Sequence, residues 1–280
     1  MRELWVRLLG ADRLAGGDVE RWTVHWTRLQ THFQVFLFLL AFAAAVYGIW
    51  WFYRREPAYC ARRRKVFLAC KTTERTKAGA SKDLVRSLGR LQTDHFDLYQ
   101  LHGVVSMEEV KSILAPGGAL EELVEARGKG LVRFLGFSAH SEAAACALLD
   151  AFPFDAVMFP VNYVTWLKGK TGPRLMDVAR RQRTGVIALK SLAQRKWHQG
   201  ETRQWPKCWY KPVDTPEEAS LALRFTLSQP VTAALSPSHV ELLRWQMDAA
   251  ENLSPLSAAE TKLLEERAAG FRPVFSNVPG

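Results

Sequence analysis

Short apolar segments recur along the chain from residue 65 onward, and stretches with the helical spacing of apolar residues separate them. In one such stretch, Leu84, Leu88 and Leu91 fall on one helical face. Short buried strands that alternate with helices predict parallel βαβ units. The apolar segments are VFLAC (66–70), FDLYQL (96–101), VRFLGF (132–137), AVMFPVN (156–162), VIAL (186–189) and VTAAL (231–235).

Helix start signals support this alternation. Ser141 precedes EAAACALL, Thr215 precedes PEEASLALRF, and Ser257 with Glu260 has the pattern of a capping box. We count six strand–helix units and find no G-x-G-x-x-G loop of an open doubly wound sheet. We therefore predict an α/β domain over residues 61–280, folded as an incomplete (β/α)8 TIM-type barrel of about six units. Its first and last strands would then lie at open edges.

A different pattern fills residues 1–60. The run from Phe33 to Tyr53 contains a single polar side chain, Gln34, and no charge. About 20 such residues are enough to cross the hydrocarbon layer of a membrane. We predict a transmembrane helix at 33–53, which would anchor the protein in a membrane. The alternative is a core helix or hairpin of a soluble domain. Aromatic and then basic residues follow the run, and this order places the C-terminal domain in the cytoplasm.

Charge and cysteine content narrow the function classes. The net charge of the 280 residues is +10, but the only dense basic run, ARRRK (61–65), follows the apolar segment. We assign it to a membrane flank and predict no nucleic-acid partner. The four cysteines have no C-x-x-C spacing, so we predict neither a metal site nor a disulfide framework.

Polar side chains recur at the C-terminal ends of the predicted strands, where barrels of this kind carry their chemistry. A Lys and a His at adjacent strand ends, Lys71 and His102, could polarise a carbonyl oxygen or tune a neighbouring acid. The alternative is that they are surface residues that end strands. The full set of strand-end residues is Lys71, His102, Ser138, Asn162, Lys190 and Ser236.

The segment after the last predicted strand, AALSPSHVELLR (233–244), opens a helix. Free backbone N–H groups at a helix start bind phosphate, and the side chains of Ser236, Ser238 and His239 could add contacts. The alternative is a simple Ser-Pro helix cap.

Five segments occur in order at characteristic spacing: KVFLACKT, SLGRLQTDHFDLYQLHG, GALEELVEARGKGLVRFLGFSAHS, FDAVMFPVNY and VIALKSLA. In these segments, and over residues 65–280, the chain resembles the aldo-keto reductase family. The resemblance implies a (β/α)8 barrel that uses NADPH to reduce aldehydes and ketones by hydride transfer, with a small-molecule carbonyl compound as substrate.

The resemblance also implies roles for individual residues. Lys71 is similar to the active-site lysine, which lowers the pKa of a catalytic tyrosine, and His102 to the histidine that orients the substrate carbonyl. Further residues are expected to bind the cofactor, near the nicotinamide or at the late phosphate loop: Ser138, Asn162, Lys190, Ser236, Ser238 and His239.

The chain departs from the family upstream of Lys71. The family's first two βα units carry the catalytic Asp and Tyr, and here the apolar segment replaces that region. We therefore expect an NADP-dependent reductase with impaired activity. Two alternatives stay open: a non-catalytic, membrane-tethered NADPH-binding or interaction module, and a chimeric gene product. The latter would explain why residues 1–60 look like the anchor of an unrelated bacterial membrane protein.

Overall fold

The structure of the protein is a computed structural model, and it describes residue 63 and residues 65–276. The elements belong to one unit of the chain, Phe67–Gly280. In chain order they are β1 (Ala69–Thr72), α1 (Lys77–Leu91), β2 (Phe96–Val104), α2 (Met107–Leu114), α3 (Ala119–Gly128), β3 (Val132–Ala139), α4 (Glu142–Ala151), β4 (Ala156–Pro160), α5 (Tyr163–Leu167), α6 (Pro173–Gln182), β5 (Gly185–Leu189), β6 (Ala193–Lys196), β7 (Tyr210–Pro212), α7 (Pro216–Leu227), β8 (Ala233–Ala234), α8 (Val240–Glu251) and α9 (Ala258–Gly270).

Six of the strands form one parallel sheet in the order β1-β2-β3-β4-β5-β8. The α/β class with six parallel strands is confirmed, and each predicted apolar segment supplies one strand. Within the described residues, β1 and β8 lie at the two edges of the sheet. The first strand starts later than predicted, at Ala69, and the side chains of Val66 and Phe67 are exposed.

One face of the sheet, which we call the helix face, is covered by helices. Its side chains are large and apolar, and they pack in one cluster with apolar residues of the surrounding helices, such as Leu84 of α1 and Leu123 of α3. Strand side chains alternate between faces, and alternate residues in the middle of β2–β5 belong to this cluster. The residues of the helix face are Tyr99, Leu101, Leu135, Phe137, Val157, Phe159, Val186 and Ala188.

The opposite face, which we call the site face, combines polar side chains and a glycine with apolar side chains. Gly136 of β3 illustrates the close packing there. A Cβ atom at this position would lie 2.6 Å from the carbonyl oxygen of Ala156 and 3.2 Å from Cγ of Gln100. Glycine therefore lets the buried Gln100 side chain lie over β3. Paired residues of neighbouring strands give the members of the site face as Lys71, Leu98, Gln100, His102, Phe134, Gly136, Ser138, Met158 and Ile187.

The helix start signals read from the sequence are confirmed. The Ser141 hydroxyl accepts a hydrogen bond from the Ala144 N–H at 3.3 Å, and the Thr215 hydroxyl accepts one from the Glu218 N–H at 3.3 Å. Ser257 begins α9 in a complete capping box. Each cap satisfies a backbone donor that has no partner within its own helix.

An antiparallel pair, β6 with β7, lies outside the parallel sheet. The sequence analysis did not predict this pair. The strand sequences AQRK and YKP explain the miss: the first is mostly polar, and the second is three residues long and ends on Pro212. Neither has the apolar alternation on which strand prediction depends.

The predicted localisation in a membrane is wrong for the part of the chain that the structure describes. None of the helices found there is long and apolar enough to cross a membrane. The longest of them, α1, has 15 residues and carries charges along its length, whereas a span needs about 20 apolar residues. The predicted span at 33–53 lies outside the described residues.

Candidate active site

Lys71 and His102 lie on neighbouring strands at the same edge of the sheet. The register of β1 and β2 pairs Lys71 with Gln100, and His102 follows Gln100 by two residues. Side chains two residues apart on a strand share a face. Both side chains therefore belong to the site face, at the C-terminal ends of adjacent parallel strands.

The backbone around His102 is held by Arg75. One terminal nitrogen of Arg75, Nη2, donates a hydrogen bond to the His102 carbonyl oxygen at 2.8 Å and contacts Glu109 Oε1 at 2.8 Å. The second oxygen of Glu109 accepts the Val105 N–H at 2.7 Å. The end of β2 is thus tied to the loop after β1 and to the start of α2.

Ser138 connects the ends of β2 and β3. Its hydroxyl oxygen accepts a hydrogen bond from the Gly103 N–H at 2.7 Å, and its side chain is buried. Gly103 has a φ of +66°, in the left-handed region that favours glycine. This contact fixes the strand end immediately after His102, so Ser138 has a structural role whatever else it binds.

Lys190 follows the last residue of β5 and also has a left-handed φ, of +60°. Its ammonium nitrogen lies 5.5 Å from the ring centroid of Trp209 and 5.2 Å from that of Phe275. The two rings lie 6.0 Å apart and nearly perpendicular to each other. A segment near the C-terminus and the β6–β7 hairpin therefore meet over the end of β5.

His140 is a site residue that the sequence analysis missed. Its ring stacks on Phe275 at 4.7 Å with an interplanar angle of 11°, and its backbone N–H donates to the Val104 carbonyl oxygen at 3.0 Å. Among the described residues, its buried Nδ1 meets no hydrogen-bond partner. The signal was available, because His140 directly follows the third strand, where the other strand-end residues were found.

The four strand-end bases form what we call the basic cluster: Lys71, His102, His140 and Lys190. Burial lowers the pKa of Lys71. Burial, followed by the charges of Lys71, Arg75 and Lys190, lowers the pKa of His102. Burial and then the Lys190 charge lower the pKa of His140 to about 4, and burial and then the Lys71 charge lower that of Lys190 to about 8. At neutral pH both imidazoles are therefore uncharged and can donate an N–H.

Asn162 is fully buried and caps α5, where its side-chain oxygen accepts the Thr165 N–H at 2.9 Å. In the described part of the chain, its Nδ2 has no hydrogen-bond partner. Asn162 therefore has one structural contact and one free donor. No group of three or more His, Cys, Asp or Glu side chains in this part of the chain could hold a metal ion.

The predicted phosphate loop makes its own contacts. The Ser236 hydroxyl donates to the Pro237 carbonyl oxygen at 3.1 Å, and Ser238 is exposed. The ring of His239 meets Trp205 edge to face at 5.2 Å, and its Nε2 accepts the Lys207 N–H at 3.1 Å. His239 thus packs against the segment between β6 and β7, and that contact occupies its acceptor nitrogen.

The loop is joined to the end of β5 through Leu235. The Leu235 N–H donates to the Ala188 carbonyl oxygen at 2.9 Å. The Ser191 hydroxyl donates to the Leu235 carbonyl oxygen at 3.5 Å. The loop after β8 therefore begins beside the residue that follows Lys190.

A family profile and several solved structures match this chain. The sequence profile of the Aldo/keto reductase family matches residues 53–268. The holo form of an aldo-keto reductase from Bacillus halodurans is 23% identical, with a TM-score of 0.55 over 74% of this chain and 73% of that chain. An aldo-keto reductase from a Medee basin deep-sea metagenome library is 14% identical, with a TM-score of 0.54 over 79% of each chain. At these identities the structures establish the fold alone. No curated protein sequence gives a significant match.

Proposed function

The chain belongs to the aldo/keto reductase family, and from this premise we propose that it is an NADPH-dependent oxidoreductase that reduces aldehydes or ketones with impaired turnover. The observation that carries the proposal is the shared face and shared edge of Lys71 and His102 on adjacent strands. The same premise favours an incomplete (β/α)8 barrel, in which the six-stranded sheet corresponds to the last six units.

The two side chains have complementary roles in this proposal. His102, uncharged at neutral pH, donates its N–H to the substrate carbonyl oxygen and orients it. The ammonium group of Lys71 supplies a positive charge beside the negative charge that develops on that oxygen. The charge of Lys71 acts more strongly where water is partly excluded, and Lys71 is half-buried, whereas the His102 side chain is exposed at the mouth of the site.

The site has polar atoms that suit a nicotinamide cofactor. Buried donors and acceptors without partners in the described part of the chain occur on Gln100 and Asn162, and such groups normally bind something. We assign cofactor contacts to Ser138, Asn162 and Lys190 around the nicotinamide, and to the loop from Ser236 to His239 at a phosphate. When bound, NADPH supplies the hydride.

We expect impaired turnover because the chain lacks the usual group that donates a proton to the carbonyl oxygen. In the family, the catalytic Asp and Tyr lie in a segment upstream of the active-site lysine. In this sequence an apolar run takes the place of that segment. The tyrosines in the described part of the chain, Tyr99, Tyr163 and Tyr210, are buried, and burial raises the pKa of each. Among the described residues, no carboxylate contributes to the pKa of Lys71. Loss of a general acid costs roughly 10²–10⁴-fold in rate.

The test is oxidation of NADPH in the presence of 4-nitrobenzaldehyde, with the full chain. We expect slow turnover that Lys71→Met and His102→Gln each lower at least about tenfold, since each removes a group at the carbonyl oxygen. Lys196→Met is the matched control, because Lys196 is an exposed lysine at the end of β6. Unchanged turnover in both site variants would refute the assignment, and turnover at a rate normal for the family would refute the impairment.

The missing acid favours a second candidate, a non-catalytic NADPH-binding module. In that case NADPH raises the unfolding temperature of the chain, but no aldehyde is consumed. Thermal unfolding with and without NADPH, measured beside the turnover assay, separates the two candidates.

A further inference from the structure

We propose that Lys190 is a nucleophilic amine that captures small aldehydes and ketones as imines at the C-terminal edge of the sheet. This chemistry differs from hydride transfer and needs no cofactor, so it does not depend on the proposed reductase activity. It is carried by the position of Lys190, by the two rings beside its amine and by the charges around it.

The position of Lys190 is fixed by its backbone. A left-handed φ of +60° is unfavourable for a residue with a Cβ atom and persists only where neighbouring contacts impose it. Here the Lys190 carbonyl oxygen accepts the Ala193 N–H at 2.9 Å, and the Leu189 carbonyl oxygen accepts the Val161 N–H at 3.0 Å. The amine is therefore attached to a tightly held strand end and not to a free loop.

The rings of Trp209 and Phe275 lie beside the amine at 5.5 and 5.2 Å. They exclude water from it while Lys190 keeps part of its surface exposed. The faces of the rings attract an ammonium ion, but this attraction offsets only part of the hydration that a charged amine loses.

The surrounding charges also favour the neutral amine. The positive charge of Lys71 adds to burial and lowers the pKa of Lys190 to about 8. The other near neighbours are His102 and His140, and no carboxylate of the described residues forms an ion pair with Lys190. A desolvated lysine beside a second cation is the arrangement that activates amines for imine formation. At pH 7 roughly a tenth of the Lys190 side chains would be uncharged.

The reaction balances without an oxidant or a reductant. The lone pair of the neutral amine forms a bond to the carbonyl carbon, and the carbonyl oxygen takes up a proton. The carbon–oxygen bond then breaks, and the oxygen leaves as water with the two hydrogens that the amine nitrogen loses. The N–H groups of Lys71 and His102 lie in the same cluster and can donate to the departing oxygen.

The experiment traps the imine by reduction. The full chain is incubated with 4-nitrobenzaldehyde and sodium cyanoborohydride, without NADPH, and the modified lysines are identified by mass spectrometry of the digested protein. We expect the modification of Lys190 at pH 7 to be at least roughly tenfold faster than that of the exposed Lys196, because more of its amine is neutral. The rate should rise through pH 8 and then level off.

Two variants sharpen the test. Phe275→Ala opens one side of the amine to water and should remove most of the preference for Lys190 over Lys196. Lys196→Arg should leave the rate of modification at Lys190 unchanged. Equal modification of Lys190 and Lys196 in the folded wild-type chain would overturn the inference, and so would preferential modification of Lys71. Because NADPH is absent, neither outcome depends on whether the chain turns over as a reductase.

Discussion

The two faces of the parallel sheet differ in the side chains that they present. On the helix face, strands β2–β5 present large apolar side chains that are buried against helices. On the site face, the same strands present Gln100, Gly136 and Ser138, and three of the four bases of the basic cluster lie at or beyond their ends. A single residue step along a strand thus separates a side chain that stabilises the fold from one that carries chemistry.

The site face holds groups that are energetically unfavourable in an apolar core. Gln100 has no partner for its amide in the described part of the chain, and the Lys190 and Lys71 charges repel each other. Buried polar groups without partners cost free energy. The helix face supplies the stability that allows them.

A first prediction removes a large apolar side chain from the helix face. Phe137 of β3 is fully buried and meets Phe154 edge to face at 4.9 Å. We expect Phe137→Ala to lower the free energy of unfolding by about 3–5 kcal/mol, because it removes a buried ring and leaves a cavity. The urea midpoint, followed by far-UV circular dichroism, measures the loss.

Phe134 on the same strand is the matched control. It lies on the site face and is 37% exposed, with contacts to Phe67 and Arg133. We expect Phe134→Ala to cost only about 1 kcal/mol, since much of its ring already meets water. Similar losses in the two variants would contradict the division of the sheet into two faces.

The helix face was the part of the fold that the sequence predicted well. Continuous apolar runs such as FDLYQL predict a buried parallel strand, and caps such as Thr215 predict where helices begin. Those signals are local, because they depend on side-chain period and on hydrogen bonds within four residues. The β6–β7 hairpin has no such signal, and its pairing depends on contacts made elsewhere in the chain.

The site was predicted less completely. The strand ends pointed to Lys71, His102 and Lys190 as candidate residues, because parallel strands bring their C-terminal ends together. The contact between Phe275 and His140 could not be predicted, because the two residues lie about 135 positions apart and no local sequence pattern indicates such a long-range contact. The hydrogen bond from the Lys207 N–H to Nε2 of His239 could not be predicted either, because Lys207 lies in another loop.

A second prediction concerns acid and His140. Its pKa falls from 6.5 to about 4 on folding, so between these values the unfolded chain binds more protons than the folded chain. Stability therefore decreases as the pH falls from about 6.5 to about 4. We expect His140→Phe, which keeps a ring beside Phe275, to reduce the loss between pH 7 and pH 4.5 by about 1–2 kcal/mol.

Urea unfolding of both proteins at the two pH values measures this difference. His102, whose pKa is also lowered, keeps part of the acid sensitivity in the variant. His198→Phe is the control, because His198 lies on the exposed turn after β6. If His140→Phe and the wild type lose the same stability in acid, His140 is not held neutral by its surroundings.

A third prediction concerns Gln100, where a substitution should stabilise the folded chain. Gln100 is fully buried on the site face, and neither end of its amide meets a partner among the described residues. Gln100→Met keeps the length of the side chain and removes the polar atoms, so we expect a gain of about 1 kcal/mol in the free energy of unfolding. Gln194→Met is the matched control. Its Nε2 donates to Glu218 Oε2 at 3.2 Å, and losing this bond should cost about 1 kcal/mol. A loss in both variants would mean that Gln100 is bonded in the folded chain and that the site face does not give up stability for chemistry.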